Sequence, residues 1–149
     1  MPVQVFVWDF RGYTEAWGHS SLQLSNGKYV SWWPAKAYSK LSVVMESKSP
    51  VKADKDRTYK DDVEGEEQDP DTVYEIPGLD EAAIDAWWVS FKHSHNYVLM
   101  RQNCSTTVKD ALKAGGAWTK LTTEQREEFD DISVWTPKHV DNLCKALTQ

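Results

Sequence analysis

Apolar and polar positions follow two different periods along the chain, short alternation at the start and helical spacing towards the end. The first run, VQVFVW from Val3 to Trp8, alternates weakly and is rich in β-branched and aromatic residues, which predicts a strand. A turn-like stretch, DFRGYTEAWG, follows it. HSSLQL from His19 and YVSWW from Tyr29 are two more strand-like runs, set around Asn26-Gly27. That dipeptide marks a hairpin because both residues tolerate the positive φ a tight turn demands. TVYEIP from Thr72 adds a short strand closed by Pro77-Gly78.

Beyond that point the period lengthens. LDEAAIDAWWVSFKHS places Leu79, Ala82, Ala83, Ala86, Trp87 and Phe91 at mostly helical spacing, with acidic residues in the first turn and Lys92 and His93 near the end. A second helix is predicted from about Cys104, with Val108, Ala111 and Leu112 on its apolar face and Gly115-Gly116 as its stop. Thr122 and Thr123 before EQREEF form an imperfect capping box, and Thr136-Pro137 supplies cap and first-turn proline for a last helix through VDNLCKAL. Strands followed by helices predict an α+β fold: a small antiparallel sheet, the Cys104 helix packed on it, and peripheral helices. At 149 residues the whole chain, 1–149, fits one domain around one core. From about Glu46 to Asp71, Lys, Asp, Glu, Ser and Pro dominate, and this stretch is expected to be a long solvated loop.

Charge and composition narrow the partners. A net charge of −6 with no long basic stripe argues against nucleic acid. No apolar run approaches the roughly 20 residues of a bilayer span, and the start lacks a charged region followed by an apolar one, so no stable membrane anchor and no cleavable signal are expected. Synthesis in the cytoplasm follows, and export by a specialised secretion system that reads no cleavable signal would leave the same sequence. Two cysteines, Cys104 and Cys144, make no disulfide framework and are read as thiols. No CxxC occurs, and His93 and His95 read as helix-end cations, so neither metal nor other cofactor is expected.

Candidate chemistry centres on Cys104. A thiol becomes a nucleophile when a helix N-terminus or an imidazolium stabilises its thiolate. Cys104 follows Asn103, a good N-cap residue, so the sulfur belongs in a first helical turn, where backbone N–H groups also suit an oxyanion. His19 follows Gly18, whose missing side chain permits close approach of another backbone or of a substrate. The chain holds 8 tryptophans; Trp32 and Trp33, before Pro34, form a rigid wall that is either core or substrate groove, and Asn103 would join the groove at the helix start.

GHSSLQLSNGKYVSWW followed much later by NCSTTVKDAL resembles the circularly permuted NlpC-type papain-like superfamily, which includes the lecithin:retinol acyltransferase-like proteins. The resemblance covers roughly Trp17 to Trp33 and Gln102 to Gly116. It implies Cys104 as nucleophile and His19 as general base, with Ser31 where relatives often carry a second histidine. Strict pairing through Asn26-Gly27 would put Ser31 opposite Leu22, one pleat away from the face of His19, Ser21 and Gln23. Ser31 then orients the imidazole only across a bulge or a longer loop; otherwise Gln23 or Asp9 takes that role. The implied activity is that of a cysteine peptidase or amidase, with cell-wall peptide (peptidoglycan) as leading substrate. By analogy it would be an effector or toxin, with an immunity or inhibitor protein as its partner. A lipid acyltransferase or lipid amidase and a non-catalytic module using a Trp-lined groove are the alternatives.

Overall fold

The structure, a computed structural model, describes residues 2–11, 18–34, 53–54, 56–97 and 102–149. Six strands occur among them: β1 (Val3–Trp8), β2 (His19–Gln23), β3 (Tyr29–Val30), β4 (Trp33–Pro34), β5 (Ala53–Asp54) and β6 (Thr72–Ile76). β1, β2, β3 and β6 form one antiparallel sheet in the order β3-β2-β1-β6, and β4 pairs with β5 in a separate ribbon. The helices are α1 (Tyr59–Glu66), α2 (Glu81–Ser94), α3 (Cys104–Ala114), α4 (Thr123–Asp130) and α5 (Pro137–Leu147). The fold is α+β, and among the described residues no helix is long and apolar enough to cross a membrane.

β1 is central and buried on both faces, which explains its weak alternation. Val3, Val5 and Val7 join Leu22, Val30 and Ile76 in the main core, together with Ile84 and Trp88 of α2, Val108 and Leu112 of α3, and Val140 and Leu143 of α5. The alternate residues Phe6 and Trp8 point to the other face. There Phe6 meets Tyr59 of α1 edge-on, with ring centroids 5.0 Å apart. The sheet is therefore covered by three helices on one side and by α1 on the other.

Helix ends follow the sequence. Asn103 caps α3, and Thr122 and Thr136 head complete capping boxes with Gln125 and His139. The apolar stripe of α2 is Ile84, Trp88 and Phe91; Phe91 is buried as expected but Ala82 and Ala86 are exposed, because the large side chains rather than the alanines fill the space under the sheet. Trp32 is fully buried against Trp88 and Phe91, with centroids at 5.9 and 4.7 Å. It is core and not groove wall.

Two expectations fail instructively. The stretch expected to be a solvated loop, 46–71, contains α1, opened by a capping box of Thr58 and Asp61. Its buried residues are Asp62 and Glu66, so its inward face is charged and leaves no apolar period to detect. The hairpin also turns differently: Leu24 pairs with Lys28, so the loop is Ser25-Asn26-Gly27, three residues with Gly27 at φ 91°. Leu22 consequently faces Val30, and Ser31 moves onto the face of His19. The turn-like residues 12–17 and the loop positions 46–52 and 55 lie outside the described residues.

Gly18 has a demanding position. Its φ is +79°, and a Cβ there would lie 2.7 Å from the carbonyl oxygen of Trp8 and 2.9 Å from the amide nitrogen of Phe10. Gly27 shares the positive φ, but a Cβ there meets nothing within 4 Å. Gly27→Ala is thus expected to cost about 1–2 kcal/mol of backbone strain, and Gly18→Ala distinctly more. Denaturant unfolding of the two variants checks the order, and an equal loss would show that the approach of β1 to Gly18 is soft.

Candidate active site

Register positions the first component. His19, the first residue of β2, pairs with Trp8, the last of β1, and its side chain is wholly buried. The ring sits 5.4 Å from Trp8 and meets Trp33 edge-on at 4.8 Å. His19 Nε2 lies 2.9 Å from Asp62 Oδ2 and 3.1 Å from Ser31 Oγ.

Asp62 is the hub of this arrangement. Its Oδ2 accepts from the Tyr29 hydroxyl at 2.6 Å and from the Ser31 hydroxyl at 2.7 Å, while Arg57 Nε donates to Oδ1 at 2.5 Å. A carboxylate with no exposure is tolerable only with such compensation. Burial opposes its charge, but His19, Arg57 and the hydroxyls outweigh that and hold the carboxyl well below the usual range. Asp62 is therefore an acceptor only, and Nε2 must carry the proton between them. Nδ1 is left deprotonated in the neutral ring, buried and without a completed hydrogen bond.

The third component comes from the opposite face. Cys104 is the first residue of α3 and is 8% exposed. Ser20 Oγ lies 3.0 Å from Ser105 Oγ, which ties β2 to the first turn of α3, and Ser105 Oγ lies 3.9 Å from the sulfur. Burial disfavours a thiolate here, but the His19 charge and hydrogen-bonding interaction, the Ser20 amide and the Ser105 hydroxyl together lower the thiol. The reciprocal effect appears on His19: burial works against its charge, yet Asp62 and Cys104 push it up to about 10. With Nε2 committed to Asp62, Nδ1 is the nitrogen available to the thiol. Cys144, by contrast, is buried in α5, and burial and then Asp141 push its thiol up. It is packing.

Of the residues singled out from sequence, the structure brings together Cys104, His19, Ser31 and Trp33. Ser31 reaches the imidazole because of the three-residue hairpin loop, and it serves the carboxylate as much as the ring. Gln23 does not orient His19: its amide donates to the Gly27 carbonyl at 3.4 Å, back along the hairpin. Asp9 is exposed, with its backbone N–H on Asp71, and plays no part either. Asn103 is 6% exposed and acts as a cap, accepting from Thr106 N and donating to the Trp135 carbonyl, so it does not line a groove. His95 stacks on Phe91, and among the described residues no group of three or more His, Cys, Asp or Glu side chains could hold a metal ion. Asp62, Arg57 and Tyr29 were missed. The signal that could have found Asp62 was the Thr58 to Asp61 capping box, which turns a charged stretch into a helix.

What the fold and site define is an α+β chain in which a cysteine at a helix N-terminus, a strand histidine and a helix-borne aspartate converge. Residues 57–149 match the model of the IcsB middle domain, and the chain belongs to that family. The matched segment contains Asp62 and Cys104, whereas His19 precedes it. The chain is also similar to the multifunctional-autoprocessing repeats-in-toxin of Vibrio vulnificus, at 40% identity over 76 residues, covering 50% of this chain and 1% of that protein. The protein of the same name from Vibrio cholerae serotype O1 is 38% identical over 76 residues, covering 50% of this chain and 2% of its own length. The chain thus spans only a small part of these relatives. No solved structure matches.

The ion pair has a pH signature. His19 is raised, so its contribution to stability is complete below about pH 6.5 and is lost as pH climbs through about 10. Asp62 is depressed, so its contribution is present above about pH 4 and is lost as pH falls further. The wild-type melting temperature should therefore decline from about pH 6.5 towards about pH 10, and Asp62→Asn should flatten that decline while lowering stability throughout. Parallel profiles for the two proteins would exclude the pair as the source.

Proposed function

We propose that this chain is a cysteine enzyme of a bacterial toxin or effector that works through a thioester on Cys104. The observation that supports this reading is the Cys104, His19 and Asp62 constellation, with the imidazole tautomer set by a buried carboxylate. The names of the Vibrio relatives support the toxin context, and delivery by a secretion system follows from it.

In the proposed reaction the thiol proton already resides on His19 Nδ1 in the Cys104–His19 ion pair, and the thiolate attacks an acyl carbonyl. The Cys104 and Ser105 amides at the start of α3, which neither the helix's own ladder nor the Asn103 cap uses, stabilise the oxyanion. The imidazolium protonates the leaving group, and the acyl group stays on sulfur until His19 activates an acceptor. With water as acceptor the enzyme is an amide hydrolase, the activity implied by the permuted papain-like resemblance. With an amine or hydroxyl it is an acyltransferase. Burial of all three side chains favours this second reading, because bulk water is kept from the thioester. Peptidoglycan has no independent support among the relatives.

Activated acyl esters provide the test. Incubation with a p-nitrophenyl ester should add one acyl group to Cys104 by intact mass. Cys104→Ala and His19→Ala should each abolish acylation, with no further loss in the double variant. Asp62→Ala should slow it by roughly 10³–10⁴-fold, as expected when the imidazole loses its tautomer. Labelling spread over Cys104 and Cys144 alike would support a non-catalytic module instead. The acceptor is read from the isolated acyl-enzyme: decay in buffer identifies a hydrolase, whereas persistence until an amine is added identifies a transferase.

A further inference from the structure

The carboxylate that orients His19 is itself oriented, and the residue that does so reaches both neighbours of the imidazole. Arg57 lies just before α1 and its side chain is 4% exposed. Its Nε donates to Asp62 Oδ1 at 2.5 Å, and one terminal nitrogen donates to the Asp61 backbone carbonyl at 2.8 Å. The guanidinium stacks over Trp33 at 4.8 Å from the ring centroid, and Trp33 in turn meets His19 edge-on. A planar group with fixed donors can hold a carboxylate in one rotation, which an ammonium cannot do.

We infer that Arg57 is a positioning residue for the proposed thiol chemistry: it clamps one oxygen of Asp62 and the face of Trp33, so that the other oxygen and the indole edge hold His19 towards Cys104. The inference rests on the functional reading above. Tyr29 completes the clamp, donating to Asp62 Oδ2 and accepting, at 2.6 Å, from the Ser21 hydroxyl. Arg57 and Tyr29 both line a concavity of about 290 Å³ together with Lys28, Asp85, Trp88 and Lys92. The positioning layer therefore reaches the surface there.

Removing Arg57 acts on the thiol through two effects of one sign. A positive charge that favours the thiolate is lost, and Asp62 is released to turn away, which weakens the imidazolium beside the sulfur. The groups bearing on the pair are Asp62 and Arg57 with α1, Tyr29 and Ser31 from the hairpin, Cys104 and Ser105 of α3, and Tyr97, whose hydroxyl burial and then the Cys104 charge push upwards. None of these would offset the loss, because each neutral hydroxyl already serves Asp62, Ser20 or the thiol's surroundings.

The measurement is the rate of Cys104 alkylation by iodoacetamide against pH, followed by peptide mass spectrometry, which needs no substrate. Arg57→Met should move the alkylation profile up by about one pH unit, slowing labelling about tenfold near pH 6 and by less than threefold near pH 9. Arg57→Lys, which keeps the charge and loses the fork, should lie between. A merely structural role would lower the melting temperature without moving the profile. A folded Arg57→Met protein whose profile superimposes on the wild type would overturn the inference. If that variant does not fold, superposition of the Arg57→Lys profile overturns it and an upward shift sustains it. Wild-type Cys104 that labels no faster than Cys144 would instead remove the nucleophile reading itself, an outcome distinct from failure of the Arg57 role alone.

Discussion

Asp62 carries a formal charge with none of its side chain in water, and the placement of four other side chains follows from that. An uncompensated buried carboxylate would be several kcal/mol unfavourable. His19 from β2, Tyr29 from β3, Ser31 just beyond it and Arg57 before α1 all converge on its two oxygens. These partners come from the hairpin and from the approach to α1, so satisfying the carboxylate docks one on the other. Because α1 contributes little apolar surface beyond Tyr59, polar satisfaction must do much of the docking that an apolar stripe does for α2. A second charged contact, Glu66 with Arg11 at 3.2 Å, works the same way. Such networks are specific more than stabilising, since replacement of a buried ion pair by apolar packing is often neutral or better. Retaining one beside a low thiol fits a functional demand.

The same network explains what could be read from sequence. β1, β6, α2, α3 and α5 were legible because burial there is apolar and its ends carry ordinary caps, Asn103 and Thr136 among them. Cys104 and His19 were legible through their flanking residues, Asn103 as cap and Gly18 as a close approach. Asp62 was not, because hydrophobic periodicity finds helices by what they hide from water, and α1 hides carboxylates. Trp32 and Trp33 show the same limit at finer grain. Adjacent in sequence and identical in type, they face opposite sides of the chain, one into Trp88 and Phe91 and the other onto His19.

Hairpin geometry decides whether the site exists. A two-residue turn at Asn26-Gly27 would register Leu22 with Ser31 and turn the serine hydroxyl away from His19. The observed loop adds Ser25, so Leu22 faces Val30 and the next residue falls on the histidine's face. One residue of loop length thus converts Ser31 from a core position to a donor on Asp62. The added position is held from outside the hairpin: Ser25 donates through its backbone N–H and its hydroxyl to Glu81 at the start of α2, at 2.6 and 2.8 Å. A surface contact at the far end of the strands is therefore part of what sets the register at the site.

The site is also divided between two parts of the chain in a way that bears on the family match. The IcsB middle domain segment supplies the carboxylate and the thiol, but the imidazole lies on β2, upstream of that segment. β6, within the segment, pairs with β1, which lies outside it, and α3 packs on β2 through Ser20 and Ser105. Without β1 and β2 the segment would lose the centre of its sheet and the His19 partner of Asp62, and would expose the inner faces of α3 and α5. β2 is consequently both an inner strand of the sheet and the source of the imidazole. β2, which carries His19, lies between α3, which carries Cys104, and α1, which carries Asp62. A displacement of either helix relative to β2 would separate one of its partners from the ring while leaving the other in place.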